Sequence, residues 1–122
     1  MPTPTVDILM ATYNGERYVA EQIESIQRQT YQDWRLLVSD DCSTDQTLAI
    51  VKSYAVKDPR ISVVSEGVRH GGAKENFFSL MGYSTAPYFM FCDQDDVWLP
   101  EKIETEVMAL VDAGSTVPAA VY

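Results

Sequence analysis

Apolar residues along this chain follow two alternating rhythms. Short runs read as strands: Val6-Asp7-Ile8-Leu9-Met10-Ala11, Trp34-Arg35-Leu36-Leu37-Val38-Ser39, Ile61-Ser62-Val63-Val64-Ser65, and the run starting at Tyr88-Phe89-Met90-Phe91-Cys92. The last is apolar at every position, the pattern of a strand buried on both faces. Between the runs the spacing becomes helical. Val19, Ile23 and Ile26, with Glu, Gln and Arg between them, predict an amphipathic helix ending near Gln29. Leu48, Val51 and Ala55 mark the inner face of a second helix reaching about Val56, and Ser43 with Gln46 fits a capping box at its start. A third helix is expected over 73–82. A fourth, striped by Ile103, Val107, Leu110 and Val111, has Pro100 near its first turn. Asn14-Gly15 and the glycines at 67, 71 and 72 mark turns. Val117 to Tyr122 begins a further apolar segment.

The resulting order, β-α-β-α-β-α-β-α-(β), predicts an α/β fold with a mostly parallel sheet and helices on both faces. At 122 residues the chain is one domain, 1–122, or part of one. The net charge of −9 argues against a nucleic-acid binder, which needs a basic footprint. An anion would have to be held locally, by a metal or by backbone amides. No apolar run is long enough for a membrane span, and the start lacks the features of a signal peptide. Cys42 and Cys92 have no metal-ligand spacing and read as reduced residues of a cytoplasmic protein. His70, the single histidine, leaves no histidine cluster for a metal and argues against a Ser-His-Asp triad.

In this architecture the loops after strands one, two and four converge at one edge of the sheet, where open α/β sheets bind ligands. Each is polar. The first carries Thr12, Tyr13 and Asn14. The second carries Asp40, Asp41, Ser43 and Asp45. The fourth carries Asp93, Gln94, Asp95 and Asp96. In an extended segment Asp93 and Asp95 point the same way and can share one cation. Carboxylate oxygens beside a diphosphate suit Mg²⁺ or Mn²⁺. Asp41 can accept a hydrogen bond from the ring N–H of a uracil or thymine, and the Tyr13 ring can stack on a base.

Four segments carry a resemblance to a known family. They are Val6-Asp7-Ile8-Leu9-Met10-Ala11-Thr12-Tyr13-Asn14-Gly15, Gln29-Thr30-Tyr31-Gln32-Asp33-Trp34, Asp40-Asp41-Cys42-Ser43-Thr44-Asp45 and Cys92-Asp93-Gln94-Asp95-Asp96-Val97-Trp98. Together they resemble the N-terminal half of family 2 glycosyltransferases. The resemblance implies the GT-A fold, an inverting transfer from a nucleotide-diphospho-sugar, and a divalent metal, Mg²⁺ or Mn²⁺. It implies that Ala11, Thr12 and Tyr13 line the base pocket and that Asp41 holds the base N–H. Lys74 would lie near the nucleotide and Asp93 near the ribose and metal. Asp95 would be the main metal ligand and Asp96 a helix-capping or supporting residue. The wording Asp-Gln-Asp-Asp-Val-Trp and Ala-Lys-Glu-Asn-Phe-Phe further resembles bacterial enzymes of surface-polysaccharide synthesis, including rhamnosyltransferases that use dTDP-rhamnose. The implied donor is UDP- or dTDP-linked, and the implied acceptor a saccharide or lipid-linked saccharide. The setting is cytoplasmic, with peripheral attachment at the inner membrane face as an alternative. In such enzymes the catalytic base, an Asp or Glu, comes well after the Asp-x-Asp motif. It is therefore expected beyond Tyr122, and the chain is expected to hold the donor half and to transfer sugar poorly or not at all. An unfinished sheet edge would favour a homodimer.

Other readings compete for the same residues. In a haloacid-dehalogenase-type phosphatase Asp93 would be the nucleophile and Asp95 the acid/base, but only 27 residues follow Asp95. A non-enzymatic receiver domain needs its acidic pair after the first strand, whereas here it follows the second. A nucleotidyltransferase would place a glycine-rich loop after the first strand, where this chain has one glycine. Neither acidic cluster has the glycine and glutamate spacing of a calcium loop.

Overall fold

In the computed structural model, residues 4–93, 97–112 and 119–121 are described. The elements are β1 (Val6–Thr12), α1 (Val19–Gln27), β2 (Trp34–Asp40), α2 (Thr47–Lys57), β3 (Ile61–Ser65), α3 (Ala73–Met81), β4 (Tyr88–Asp93), α4 (Lys102–Asp112) and β5 (Ala119–Val121). The strands form one sheet in the order β3-β2-β1-β4-β5, and each neighbouring pair is parallel. The alternation of strand and helix dictates this, because a parallel neighbour needs a long crossover. β1 lies at the centre and is buried along its whole length.

The pleat of β1 divides the core in two. Val6, Ile8 and Met10 pack with Val19, Ile23 and Ile26 of α1, Val51 of α2, and Ile103 and Val107 of α4. Leu9 and Ala11 point the other way and meet Leu80 of α3, with Phe77, Phe89 and Phe91 partly buried beside them. Helices thus lie on both faces, three on one and α3 on the other. The apolar run of β4 is consequently covered unequally. Tyr88, Met90 and Cys92 are buried, while Phe89 and Phe91 are half-buried, because α3 lies over β1 and β2. Phe91 makes edge-on ring contacts with Phe77 and Phe89, at centroid distances of 5.0 and 5.6 Å.

One carboxylate interrupts the apolar strand. Asp7 is fully buried, and its oxygens accept from Arg35 Nε at 2.8 Å and Nη2 at 2.9 Å, Ser84 Oγ at 2.8 Å, and the amides of Thr85 and Ala86 at 2.9 and 3.0 Å. A buried charge is tolerable only with this density of donors. It ties β1 to β2 and to the α3–β4 connection, at the end of the sheet opposite the polar loops.

Two local expectations are corrected. The capping box does not form. α2 starts at Thr47, with Gln46 as a cap that makes no side-chain bond. Asp45 Oδ1 accepts the Thr47 amide at 2.9 Å instead. With the helix starting there, its inner face is Thr47 and Val51, flanked by partly buried Ile50, Tyr54 and Ala55. Leu48 is half-buried outside the core. On α1, the polar residues Gln22 and Ser25, with Gln29 just beyond its end, are buried alongside Val19, Ile23 and Ile26. On α4, Ile103 and Val107 are buried and Leu110 partly so, as the stripe predicts; the Val111 side chain lies outside the described set. No described helix is long and apolar enough to cross a membrane.

Candidate nucleotide-binding edge of the sheet

Parallel register brings the polar loops to one level. Ala11 pairs with Ser39 on one side and Asp93 on the other, and Thr12 pairs with Asp40. The Asp41 amide donates to Thr12 O at 2.9 Å, which extends the β1–β2 pairing by one residue. The ends of β1, β2 and β4, from which the three polar loops leave, are therefore level; residues 94–96 of the fourth loop lie outside the described residues.

The first two loops are also laced together. The Asn14 amide donates to Ser43 Oγ at 2.9 Å, and the Thr44 amide donates to Asn14 Oδ1 at 2.8 Å. The Gly15 amide donates to Thr47 Oγ1 at 2.7 Å, the Glu16 amide to Asp45 Oδ2 at 3.3 Å, and the Gln46 amide to Glu16 Oε2 at 3.0 Å. Asn14 and Cys42 sit at φ +47° and +58° in the left-handed region. Asparagine adopts it readily; for cysteine it costs about 1–2 kcal/mol. The reversal at Cys42 turns Ser43 back onto Asp40, whose oxygens accept its amide at 2.8 Å and its hydroxyl at 2.6 Å.

The second-loop carboxylates, alike in sequence, have different tasks. Asp40 takes the Ser43 bonds and the Thr12 hydroxyl at 2.7 Å. Its hydrogen-bonding capacity goes into the loop, and so does the Thr12 side chain. Asp45 braces α2 and the first loop. Burial pushes its carboxyl up, but bonds from the Thr47 side chain and amide and the Glu16 amide outweigh this and hold it below the usual aspartate range. Asp41 is different. It is buried, Oδ1 accepts the His70 amide, and Oδ2 has no hydrogen-bond partner among the described residues. One acceptor oxygen is left for a ligand N–H.

Asp41 acquires a wall that the sequence reading missed. The β3–α3 loop folds back so that His70 Nε2 lies 3.4 Å from Ser39 Oγ and 3.5 Å from Ser65 Oγ. Gly71 and Gly72, at φ +88° and +144°, make that path, and a Cβ on Gly72 would lie 3.1 Å from Glu75 Oε2. Asn76, buried on α3, donates to Ser39 O at 2.8 Å, while its Oδ1 has no partner among the described residues. The only hint in the sequence was a polar residue on the turn between Ala73 and Phe77, where the inward face begins.

Among the other expected site residues, Ala11 is buried beside Ser39, and Tyr13 is 45% exposed at the rim. Lys74 is exposed on the first turn of α3, its Nζ 5.9 Å from the Phe78 ring centroid. Asp93 ends β4 level with Ala11; Gln94, Asp95 and Asp96 lie outside the described residues. Among the described residues no cluster of three or more His, Cys, Asp or Glu is arranged to hold a metal. Cys92 does not extend the acidic motif as a soft ligand, because its Sγ accepts from Gln22 Nε2 at 2.8 Å on the opposite face. The residue types that the sequence offers at 93 and 95 are aspartates, whose hard oxygens are of the kind that suits Mg²⁺ or Mn²⁺.

The family model for glycosyl transferase family 2 matches residues 7–121. The chain is 40% identical over 106 residues to the dTDP-rhamnosyl transferase RfbG of Shigella flexneri, covering 84% of this chain and 37% of that protein. It is 33% identical over 106 residues to the UDP-Glc:alpha-D-GlcNAc-diphosphoundecaprenol beta-1,3-glucosyltransferase WfgD of Escherichia coli, covering 87% and 41%. Among solved structures, S. aureus TarS 1–349 in complex with UDP superposes with a TM-score of 0.81 at 27% identity, over 91% of this chain and 33% of that one. The mannosyltransferase PcManGT of Pyrobaculum calidifontis, in complex with GDP-Man and Mn²⁺, gives 0.81 at 26%, over 92% and 34%. The chain thus spans about two fifths of the length of these curated relatives.

Proposed function

The chain belongs to glycosyl transferase family 2 and has the GT-A fold, and we propose that it binds the nucleotide-diphosphate portion of a UDP- or dTDP-sugar for an inverting transfer in bacterial surface-polysaccharide synthesis. Family membership sets aside the phosphatase reading of Asp93 and the receiver reading of the chain. The observation that carries the proposal is Asp41: a buried carboxylate with one oxygen unpartnered among the described residues, its amide on Thr12 O, with β1 between it and the β4 end at Asp93.

In this reading Asp41 accepts the ring N–H of a uracil or thymine. The Ala11 and Thr12 backbone lines the base, and the Tyr13 ring covers it. The RfbG and WfgD relatives, named for dTDP-rhamnose and UDP-glucose transfer, support a pyrimidine donor. Asp93 orients the ribose and shares with Asp95 the placing of a divalent cation, Mg²⁺ or Mn²⁺. When bound, that ion would neutralise charge on the departing diphosphate. Lys74 approaches the phosphates from α3. The transferred sugar is a rhamnose or hexose, and the acceptor a saccharide or lipid-linked saccharide at the cytoplasmic side. None of the residues assigned here is a general base.

Calorimetric titration of UDP and dTDP, with and without Mn²⁺, tests this. Metal-dependent binding should be abolished in Asp95→Asn. In Asp41→Asn it should weaken about tenfold or more, the worth of a charge-assisted hydrogen bond. Absence of nucleotide binding, or binding indifferent to both substitutions, would refute the proposal.

A further inference from the structure

α1 and the residues that follow it present an unusual row to the core. Gln22, Ser25 and Gln29, at i, i+3 and i+7, are all at most 2% exposed. They lie among Val19, Ile23 and Ile26, where an apolar trio would pack without any need for hydrogen bonds. Each of the three instead holds the chain beside the Asp-x-Asp motif.

Before the motif, Gln22 Nε2 donates to Cys92 Sγ at 2.8 Å. After it, the Trp98 amide donates to Ser25 Oγ at 3.0 Å, and that hydroxyl donates to Gln22 O at 2.6 Å. Gln29 makes two bonds further along. Its Nε2 donates to Leu99 O at 2.7 Å, and its Oε1 accepts the Ile103 amide at 3.0 Å, at the start of α4. The next residue joins in, with the Thr30 amide on Pro100 O at 2.8 Å. α1 and the residues just beyond its end therefore grip residue 92 on one side and residues 98–103 on the other. Asp93 and Asp95 lie between these two attachments in sequence.

We propose that Gln22, Ser25 and Gln29 are positioning residues for the acidic motif: α1 and the turn after it bracket the motif and fix the spacing of its carboxylates for a diphosphate-bound cation. This rests on the donor-site reading above. The row touches no ligand itself. Its contribution is to fix both ends of the segment that carries the ligand oxygens, as supporting residues around metal sites do.

The test compares the unaltered chain with Ser25→Ala, Ser25→Thr and Gln29→Leu. Amide exchange is followed by nuclear magnetic resonance, and UDP is titrated calorimetrically with and without Mn²⁺. The Trp98 amide should lose protection in Ser25→Ala, and the Ile103 amide in Gln29→Leu. Mn²⁺-dependent UDP affinity should fall about tenfold in both, while metal-free UDP affinity changes less than about twofold. Ser25→Thr, which keeps the hydroxyl, should restore both readouts. Ser25→Ala removes one oxygen and keeps the test decisive should Gln29→Leu fail to fold. Lost protection with unchanged Mn²⁺-dependent affinity would overturn the inference. So would an equal fall with and without Mn²⁺, which would mark the row as structural support only. An unaltered chain that binds UDP no better with Mn²⁺ would refute the donor-site reading itself, and the inference with it; that outcome is separate because it needs no variant.

Discussion

Replacing Asp7 with asparagine removes the one buried charge from the central strand without changing its shape. The carboxylate accepts five hydrogen bonds from four residues, all between 2.8 and 3.0 Å, and its side chain is 0% exposed against 44% for Arg35. An asparagine keeps one acceptor oxygen and turns an NH₂ towards groups that are themselves donors. Hydrogen bonds to a charged acceptor are worth about 1.5–3 kcal/mol each, and they do not add. Breaking a buried pair from its buried side costs roughly 3–5 kcal/mol. We expect Asp7→Asn to lose about 3–5 kcal/mol. Arg35→Met should lose only about 1–2 kcal/mol, because Asp7 keeps three other donors and the lost guanidinium was half in water. Urea unfolding followed by Trp34 and Trp98 fluorescence measures both, and an unchanged slope would confirm that the native state alone was altered. A loss below about 1 kcal/mol for Asp7→Asn would refute this reasoning, as would an equal loss for the two variants.

Cys42→Gly should stabilise the chain by about 0.5–1 kcal/mol, since relief of the left-handed backbone exceeds the extra chain entropy of glycine; a lower urea midpoint would contradict it. Gly72→Ala should do the reverse, losing about 1 kcal/mol or more at φ +144°, with weaker UDP binding as the β3–α3 loop moves off Asp41. The Arg60 guanidinium, hydrogen-bonded to Asp58, leads the effects that hold its carboxyl at about 2, below the usual 3.8. Because the folded value is depressed, the stability it confers is complete above about pH 4 and is lost as pH falls towards 2. The gap in melting temperature between the unaltered chain and Asp58→Asn should therefore be constant from pH 7 to about 5 and close below 4; a constant gap down to pH 2.5 would exclude this role.

The strands and helices were legible because burial repeats with a fixed period, two in a strand and 3.6 in a helix. The row Val19, Ile23, Ile26 and the run Val6–Ala11 pack as their spacing says. The level ends of β1, β2 and β4 followed from topology alone. Division of labour within those loops did not. Asp40, Asp41 and Asp45 are the same residue type within one short stretch, and what separates them is which donors the fold brings from about thirty residues away: Thr12 to Asp40, His70 to Asp41, Glu16 to Asp45. Periodicity also says nothing of the buried Gln22, Ser25 and Gln29, because a count of apolar positions does not register polar residues that face the core. It cannot see a partner group some seventy residues on. His70 was noticed for the chemistry of its ring, yet the contact it makes with Asp41 is through its amide, which any residue but proline supplies.

The lacing between the first two loops bears on how this edge of the sheet can be rebuilt. Asn14, Gly15 and Glu16 meet Ser43, Thr44, Asp45, Gln46 and Thr47 almost entirely through pairings of a side chain on one loop with a backbone amide on the other. Neither loop can exchange such positions alone without stranding a donor on its neighbour. For anyone grafting donor preference between relatives, residues 12–16 and 40–47 are a single transplantable cassette, and a chimaera that moves one half of it inherits a mismatched seam.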